Sequence, residues 1–321
     1  MNQIMTSAPA PASGNGRADR SALASGKEHA DSSALASGKG YPDASALASG
    51  KGHGDENFPV ASWLVRADAR APVLTYYRFA RAADDIADNA GASPEEKLDL
   101  LAAMRAGLSG GDEGSAEARD LALVARARGI SLTHAHELLD AFERDVTVNR
   151  YADWSQLMDY CRYSAMPVGR YVLDVHGEDP AIWPMNDALC AALQIINHLQ
   201  DCGKDYRAID RVYIPTRMLE KAGVPISALG EARSSQALRG VISALASQTG
   251  ALLRESAPFA AAIGDARLSA EVAIIQRLAE DLVRLLERRD PLSENVHHSR
   301  ARAGFLALRA VLRHGAKRIF A

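Results

Sequence analysis

Two pairs of aspartates share one spacing, Asp84 with Asp88 and Asp201 with Asp205. Each pair ends a longer polar series. Tyr77, Arg81, Asp84 and Asp88 stand at i, i+4, i+7 and i+11, and Gln194, Asn197, Asp201 and Asp205 at i, i+3, i+7 and i+11. On a helix turning about 100° per residue, each series forms one narrow stripe roughly 16 Å long. Carboxylates one turn apart repel each other, and Asp85 adds a further acid to the first stripe. The second stripe runs through a segment with apolar residues on both flanks, Leu193, Ile195, Ile196 and Leu199. A polar seam between apolar flanks faces a polar hollow inside a protein. Several carboxylates there need a cation. Oxygen donors without His or Cys suit hard ions, Mg²⁺ above all, and Mg²⁺ shares its shell with water and phosphate oxygens. The pattern points to a diphosphate held through Mg²⁺ between two facing aspartate helices. Arg81, Lys204, Arg207 and Arg211 would add positive charge.

Weaker features surround these. A single Asp-x-x-x-Asp is commonly a solvated helix face; two aligned pairs with amide and aromatic companions are harder to obtain by accident. Arg207 and Arg211 taken alone read equally well as surface charge. His198 reads as a packing or solvent-facing residue, and Cys202 as a thiol ill-suited to a hard ion. Glu294-Asn-Val-His297 matches half of a di-iron signature, but it occurs once, beside Pro291 in a turn-like stretch.

The elements that must position the stripes are helices. Spacings of three and four predict helical windows at 62–90, 94–108, 117–128, 132–147, 153–176, 186–207, 214–221, 234–264, 268–288 and 299–318. Breakers separate them, among them Gly110-Gly111, Gly129, Pro180 with Pro184, Gly223 with Pro225, and Pro291. Ser93-Pro94 reads as an N-cap followed by proline at the first helical position. No strand–glycine loop–helix unit appears, so nucleotide-binding folds have no foothold. The expected fold is all-α, a single large helical bundle over residues 57–321 with a central cavity.

Composition narrows the class. The chain has 321 residues, 37 Lys+Arg against 40 Asp+Glu, and 47% hydrophobic residues, which excludes wholesale disorder and argues against a dedicated nucleic-acid binder. Three scattered cysteines fit neither a disulfide scaffold nor a zinc site. No membrane span and no secretory leader are legible, so a cytoplasmic protein is expected. Residues 1–56 differ from the rest. They hold 12 Ala, 9 Ser and 8 Gly, and the heptapeptide Ser-Ala-Leu-Ala-Ser-Gly-Lys begins at Ser21, Ser33 and Ser45. One Leu per repeat cannot bury enough surface to offset the entropy of ordering, so the segment reads as a disordered low-complexity tail.

The two stripes, written out as Tyr77-Arg-Phe-Ala-Arg-Ala-Ala-Asp84-Asp-Ile-Ala-Asp88 and Gln194-Ile-Ile-Asn-His-Leu-Gln-Asp201-Cys-Gly-Lys-Asp205, resemble the two aspartate-rich motifs of the squalene/phytoene synthase family. Arg211-Val-Tyr213-Ile-Pro215 is similar to the segment that follows the second motif there. Tyr160-Cys161 through Gly169, and Arg150-Tyr151, also fit. The resemblance runs from about Glu56 to the C-terminus. It implies an isoprenoid synthase fold, Mg²⁺ as cofactor and a prenyl diphosphate substrate. Carried over by position, Asp84, Asp88, Asp201 and Asp205 bind the metal–diphosphate cluster, and Tyr77, Arg81, Gln194 and Asn197 line the reacting centre. Lys204, Arg211 and Tyr213 contact substrate. Glu56-Asn-Phe-Pro-Val-Ala-Ser62 resembles the opening of the hydroxysqualene branch of bacterial hopanoid pathways. Gln200 stands where most of the family has Arg, and with Met166-Pro167 it fits the same branch. That branch implies presqualene diphosphate as substrate, hydroxysqualene as product, and other hopanoid-pathway enzymes as partners. Head-to-head condensation of two prenyl diphosphates, and a helical subunit without turnover, are the alternatives.

The last helical window has its own signal. Residues 299–321 contain Arg300, Arg302, Arg309, Arg313, Lys317 and Arg318 and no acid, with Phe305, Leu308, Val311 and Leu312 between them. Such a helix either docks on the bundle or rests on the inner face of an anionic membrane.

Overall fold

The computed structural model describes residues 66–111 and 114–320, with side chains through 316. The repeat tail at 1–56 and the segment Glu56–Ser62 lie outside the described residues. Among the described residues the chain is helical, apart from short 3₁₀ turns and one isolated bridge between Arg150 and Val212.

Helix boundaries follow local chemistry. The first motif lies on α1 (Ala67–Ala87), and α2 spans Pro94–Leu108. Ser93 opens α2 with a reciprocal cap: its hydroxyl accepts from the Glu96 amide at 3.2 Å, and the Glu96 carboxylate accepts from the Ser93 amide at 2.7 Å. Helix α3 (Ala116–Arg128) ends at Gly129, whose φ of 66° lies in the left-handed region that favours glycine. Then come α4 (Thr133–Thr147), α5 (Trp154–Ser164) and α6 (Met166–His176). The sequence predicted one helix over 153–176. The chain breaks at Ala165, because Pro167 brings no amide and enters the first turn of a new helix. Helix α7 (Trp183–Ile209) carries the second motif and starts three residues earlier than expected, because Pro184 sits in its first turn rather than ahead of it. After α8 (Thr216–Lys221), the window 234–264 resolves into α9 (Gln236–Glu255) and the single turn α10 (Phe259–Ala262), parted around Pro258. Helices α11 (Ala266–Arg288) and α12 (Arg300–Phe320) complete the chain.

Two apolar cores organise the bundle. One joins α1 to α4 through Phe79, Leu101, Leu121 and Leu139. The other joins α5, α7, α9 and α11 through Leu157, Ile196, Leu245 and Leu282. Helix α6 packs on both α1 and α7, whereas α1 and α7 do not pack closely on each other. The two motif helices therefore stand in different cores with α6 beside both.

The α6–α7 contact is unusually tight at Gly169. A Cβ there would come within 2.1 Å of the Asn186 side-chain oxygen and 2.6 Å of the Cys190 sulfur. Asn186 is short and buried, and its amide is engaged by the Met166 carbonyl and Asp187, so it cannot swing aside cheaply. Gly169→Ala should therefore cost about 2–3 kcal/mol by overpacking, read as a lower urea midpoint.

Candidate active site

A cavity of about 330 Å³ lies between α1, α6, α7 and α11. Its walls are mainly apolar: Val73 and Ala80 from α1, Val168 and Val172 from α6, Leu189 and Leu193 from α7. Tyr77, Gln194 and Asn197 also line it, as their place on the stripes predicts. The cavity lining thus occupies the upstream half of each stripe. The aspartates lie one to three turns further along the same helices in the chain direction.

Beyond the lining, the ends of the two acidic seams come within electrostatic reach of each other. The guanidinium of Arg211, with a side chain only 7% exposed, donates to Asp88 at 2.8 Å, so the segment after α7 is bonded to the end of α1. Asp205 is pushed up to about 7, first by burial and then by the charges of Asp201 and Asp88, with Lys204 and Arg211 opposing. Asp88 on α1 therefore acts electrostatically on Asp205 of α7. Arg81 bonds along its own helix to Asp84 at 2.9 Å and Asp85 at 2.7 Å, and it does not line the cavity.

The support behind Arg211 explains its position. Its second nitrogen donates to the Asp145 carbonyl at 3.0 Å, and the Asp145 carboxylate, also buried, accepts from Tyr160 at 2.9 Å. Burial pushes Asp145 up to about 6, with Asp88 adding to the rise and Arg211 and Tyr160 opposing it. Tyr213 stacks on His198 and Tyr151 and meets Arg211 at 3.4 Å. It is buried behind the guanidinium and does not line the cavity. Asp210 ends α7 at φ 49°, a left-handed turn held by ion pairing with Arg150, and this aims the next residue, Arg211, back toward α1. The Val212 amide bonds the Asn149 carbonyl at 2.9 Å, fixing the segment further. Arg211 is therefore a buried joint between the motifs, whereas Arg207 and Lys204 are exposed.

The other residues weighed from sequence fall outside the chemistry. His198 packs: its Nε2 is shielded without a hydrogen-bond partner, and burial with Arg211 nearby lowers it to about 3. Gln200 donates to the Val296 carbonyl at 3.0 Å and meets His297 at 3.2 Å, so it serves the loop after α11. Glu294 accepts from the Asp290 amide and His298 pairs with Asp281, both structural. Burial pushes the Cys202 thiol up to about 12.

Sequence reasoning passed over three residues. Lys97 donates to the Ala87 carbonyl at 3.0 Å, at the negative end of the α1 dipole; burial lowers its pKa, Arg211 adds to that and Asp88 opposes it. Asp145 was legible as an acid on a buried stripe, seven residues along from Leu138 and four from Ala141. Glu271 was legible in the same way, between Leu268 and Ile275.

The geometry has clear relatives. The family model described as squalene/phytoene synthase matches residues 51–302. A hydroxysqualene synthase from Zymomonas mobilis is 52% identical over 249 residues, covering 77% of this chain and 84% of that one. One from Rhodopseudomonas palustris is 51% identical over 243 residues, covering 76% and 83%. Among solved structures, a squalene synthase, HpnC, from Alicyclobacillus acidocaldarius superposes with a TM-score of 0.64 at 28% identity, covering 76% of this chain and 92% of that one. A dehydrosqualene synthase with a bound ligand superposes at 0.70 with 22% identity over 82% and 93%, a likeness of fold. With paired aspartate helices at the end of an apolar cavity, and with these relatives spanning most of its length, the chain belongs to the squalene/phytoene synthase family and is an enzyme of that family.

Proposed function

We propose that this chain ionises presqualene diphosphate and captures the rearranged carbocation with water, giving hydroxysqualene. The observation that carries the reading is an apolar cavity lined from both aspartate-bearing helices, with Asp88 of one acting electrostatically on Asp205 of the other, in a chain half identical to hydroxysqualene synthases. Asp84, Asp88, Asp201 and Asp205 would hold Mg²⁺. The donor set is all hard oxygen, and a bound cation would offset both the burial and the neighbouring carboxylates that raise Asp205. Among the described residues no three acids, histidines or cysteines already converge as an ion site. Diphosphate oxygens and water would therefore complete the shell, as Mg²⁺ prefers. Bound Mg²⁺ supplies a Lewis acid for the charge developing on the departing diphosphate. Arg211 and Lys97 add fixed positive charge beside Asp88, and exposed Lys204, which already acts electrostatically on Asp205, would add to it. Tyr213 holds Arg211 in place. Tyr77 offers a π-face to the cation, Gln194 and Asn197 offer dipoles, and the apolar walls limit stray water.

The deciding experiment is incubation with Mg²⁺ and either presqualene diphosphate or farnesyl diphosphate, followed by product identification. Hydroxysqualene from the first and no coupled product from the second is the expected result. Coupling of two farnesyl groups would instead make the chain a condensing enzyme.

The raised Asp205 has a consequence for stability. The folded state holds this proton more tightly than the unfolded chain, so the penalty of ionising it is absent below pH 4, grows as pH rises, and is complete above about 7. In chelator at pH 8, Asp205→Asn should stabilise the fold by about 1–3 kcal/mol in urea titrations. Added Mg²⁺ should raise the wild-type midpoint and leave the variant nearly unmoved. A wild-type midpoint indifferent to both pH and Mg²⁺ would count against a carboxylate cluster.

A lipid-soluble product also gives α12 a role at a bilayer. Among the described residues no helix is long and apolar enough to cross a membrane. On α12, however, Phe305, Leu308 and Leu312 are 62%, 61% and 65% exposed along one stripe, while Leu306 and Ala310 on another side are buried. Arg309 and Arg313 border the exposed stripe on one side and Arg300 on the other, the arrangement in which apolar residues enter an anionic leaflet and arginines reach its headgroups. Leu308→Glu/Leu312→Glu should lower co-sedimentation with phosphatidylglycerol vesicles about tenfold or more, while neutral vesicles bind neither protein. Equal binding by both proteins would remove the membrane from the account.

A further inference from the structure

The cavity wall contains one feature that the metal and the diphosphate do not use. Among its described lining residues, Glu271 alone carries a formal charge. It is 5% exposed and projects from α11, a helix that carries no member of either aspartate seam. Its companions on α11 at the cavity are Leu268, Val272 and Ile275, and Phe259 lines the wall from α10. An apolar residue here would continue the stripe of Leu268, Val272 and Ile275, so the carboxyl is not explained by the shape of the wall. Its charge would repel a diphosphate, so it does not belong to the leaving-group end. It would attract a carbocation and hold a water molecule. Gln194, Asn197 and Tyr77 can also hold water, but at neutral pH an amide or a phenol does not take up a proton, whereas a carboxylate does.

We propose that Glu271 is a catalytic residue of the water-capture step, holding the attacking water and accepting its proton; this rests on the reading that the chain makes hydroxysqualene. Water contributes an oxygen lone pair to the cationic carbon, forming the C–O bond. One O–H bond breaks, its electron pair stays on oxygen, and the proton passes to the Glu271 carboxylate. The cation and water thus become a neutral alcohol, and the carboxylate becomes a carboxylic acid that later returns its proton to solvent. No oxidant or reductant is involved. Without a water held in place, the same cation loses a C–H proton and leaves as a hydrocarbon.

The test separates ionisation from capture. Wild type, Glu271→Gln and Glu271→Asp, each as the full chain with Mg²⁺, are given presqualene diphosphate. Diphosphate release and the ratio of alcohol to hydrocarbon are then measured. Glu271→Gln keeps the shape and loses the base. Its diphosphate release should stay within about threefold of wild type, while its alcohol-to-hydrocarbon ratio falls about tenfold or more. Glu271→Asp should recover part of that ratio. A structural role would lower release and leave the ratio unchanged, so an unchanged ratio in Glu271→Gln overturns the proposal. Loss of diphosphate release also overturns it, since the carboxyl would then serve folding or ionisation. If wild type itself yields no alcohol, the reading of the reaction fails instead, and that result is read before any variant is compared.

Discussion

Asp84→Ala and Asp201→Ala are each expected to lower diphosphate release by about a thousandfold or more, the equivalent of roughly 4 kcal/mol in the barrier, with unchanged far-ultraviolet circular dichroism. The fold tolerates both changes for stated reasons. Asp84 is half-buried, Arg81 keeps Asp85 as a partner when Asp84 is removed, and Asp201 is also only partly buried. Alanine is the better helix former, so neither helix is weakened locally. Removing one of two carboxylates a turn apart also relieves repulsion along the helix, so metal-free stability should hold or rise. The loss then falls on the leaving group. Near-normal release by both variants would defeat the assignment of the seams as a metal–diphosphate site.

The second large effect concerns the joint between the seams. Arg211→Met should destabilise the protein by about 3–5 kcal/mol, because it strips the cation from Asp145, whose buried carboxylate keeps only Tyr160 as its hydrogen-bond partner. The loss should depend on pH. Asp145 already stands near 6 because burial opposes its charge, and removing Arg211 raises it further. Protonation removes the cost, so the deficit should be smaller at pH 5 than at pH 8, as urea titrations at the two values would show. Adding Asp145→Asn to Arg211→Met should recover part of the stability. Turnover should not follow, since Asp88 would remain without its guanidinium. A pH-independent deficit would mean that Arg211 matters for its packing and not for its charge.

Much of this site was legible in the sequence because helices impose a fixed period. Once Tyr77 to Asp88 and Gln194 to Asp205 were read at about 100° per residue, two seams followed, and the cavity receives Tyr77, Gln194 and Asn197 where those seams place them. The α2 cap at Ser93 was likewise local information. What sequence could not rank were charges whose meaning depends on distant partners. Arg211 and Arg207 look alike on paper, yet one is buried between α1 and α4 and the other faces solvent, and the left-handed turn at Asp210 makes the difference. Lys97 belongs to a different window from the residues it serves, so no periodicity connected it to Ala87 or Asp88. The break at Ala165 was missed because Pro167 also suits the first turn of a helix. Asp145 and Glu271 are acids on apolar stripes, but neither has a second acid three or four residues away to set it apart from an isolated charge.

Each aspartate motif is anchored in a different apolar core, and only α6 packs on both helices that carry them. The chemistry is therefore straddled rather than enclosed. If the motifs hold an ion and a leaving group as proposed, the width of the gap between them is set by how two separate interiors are filled. A methylene added near Leu121 or removed near Leu245, in the two cores behind the motifs, would then reach catalysis as a change of gauge. Adaptation of such an enzyme to a bulkier or slimmer lipid has remote interior positions to work with, and none of them requires touching an acid.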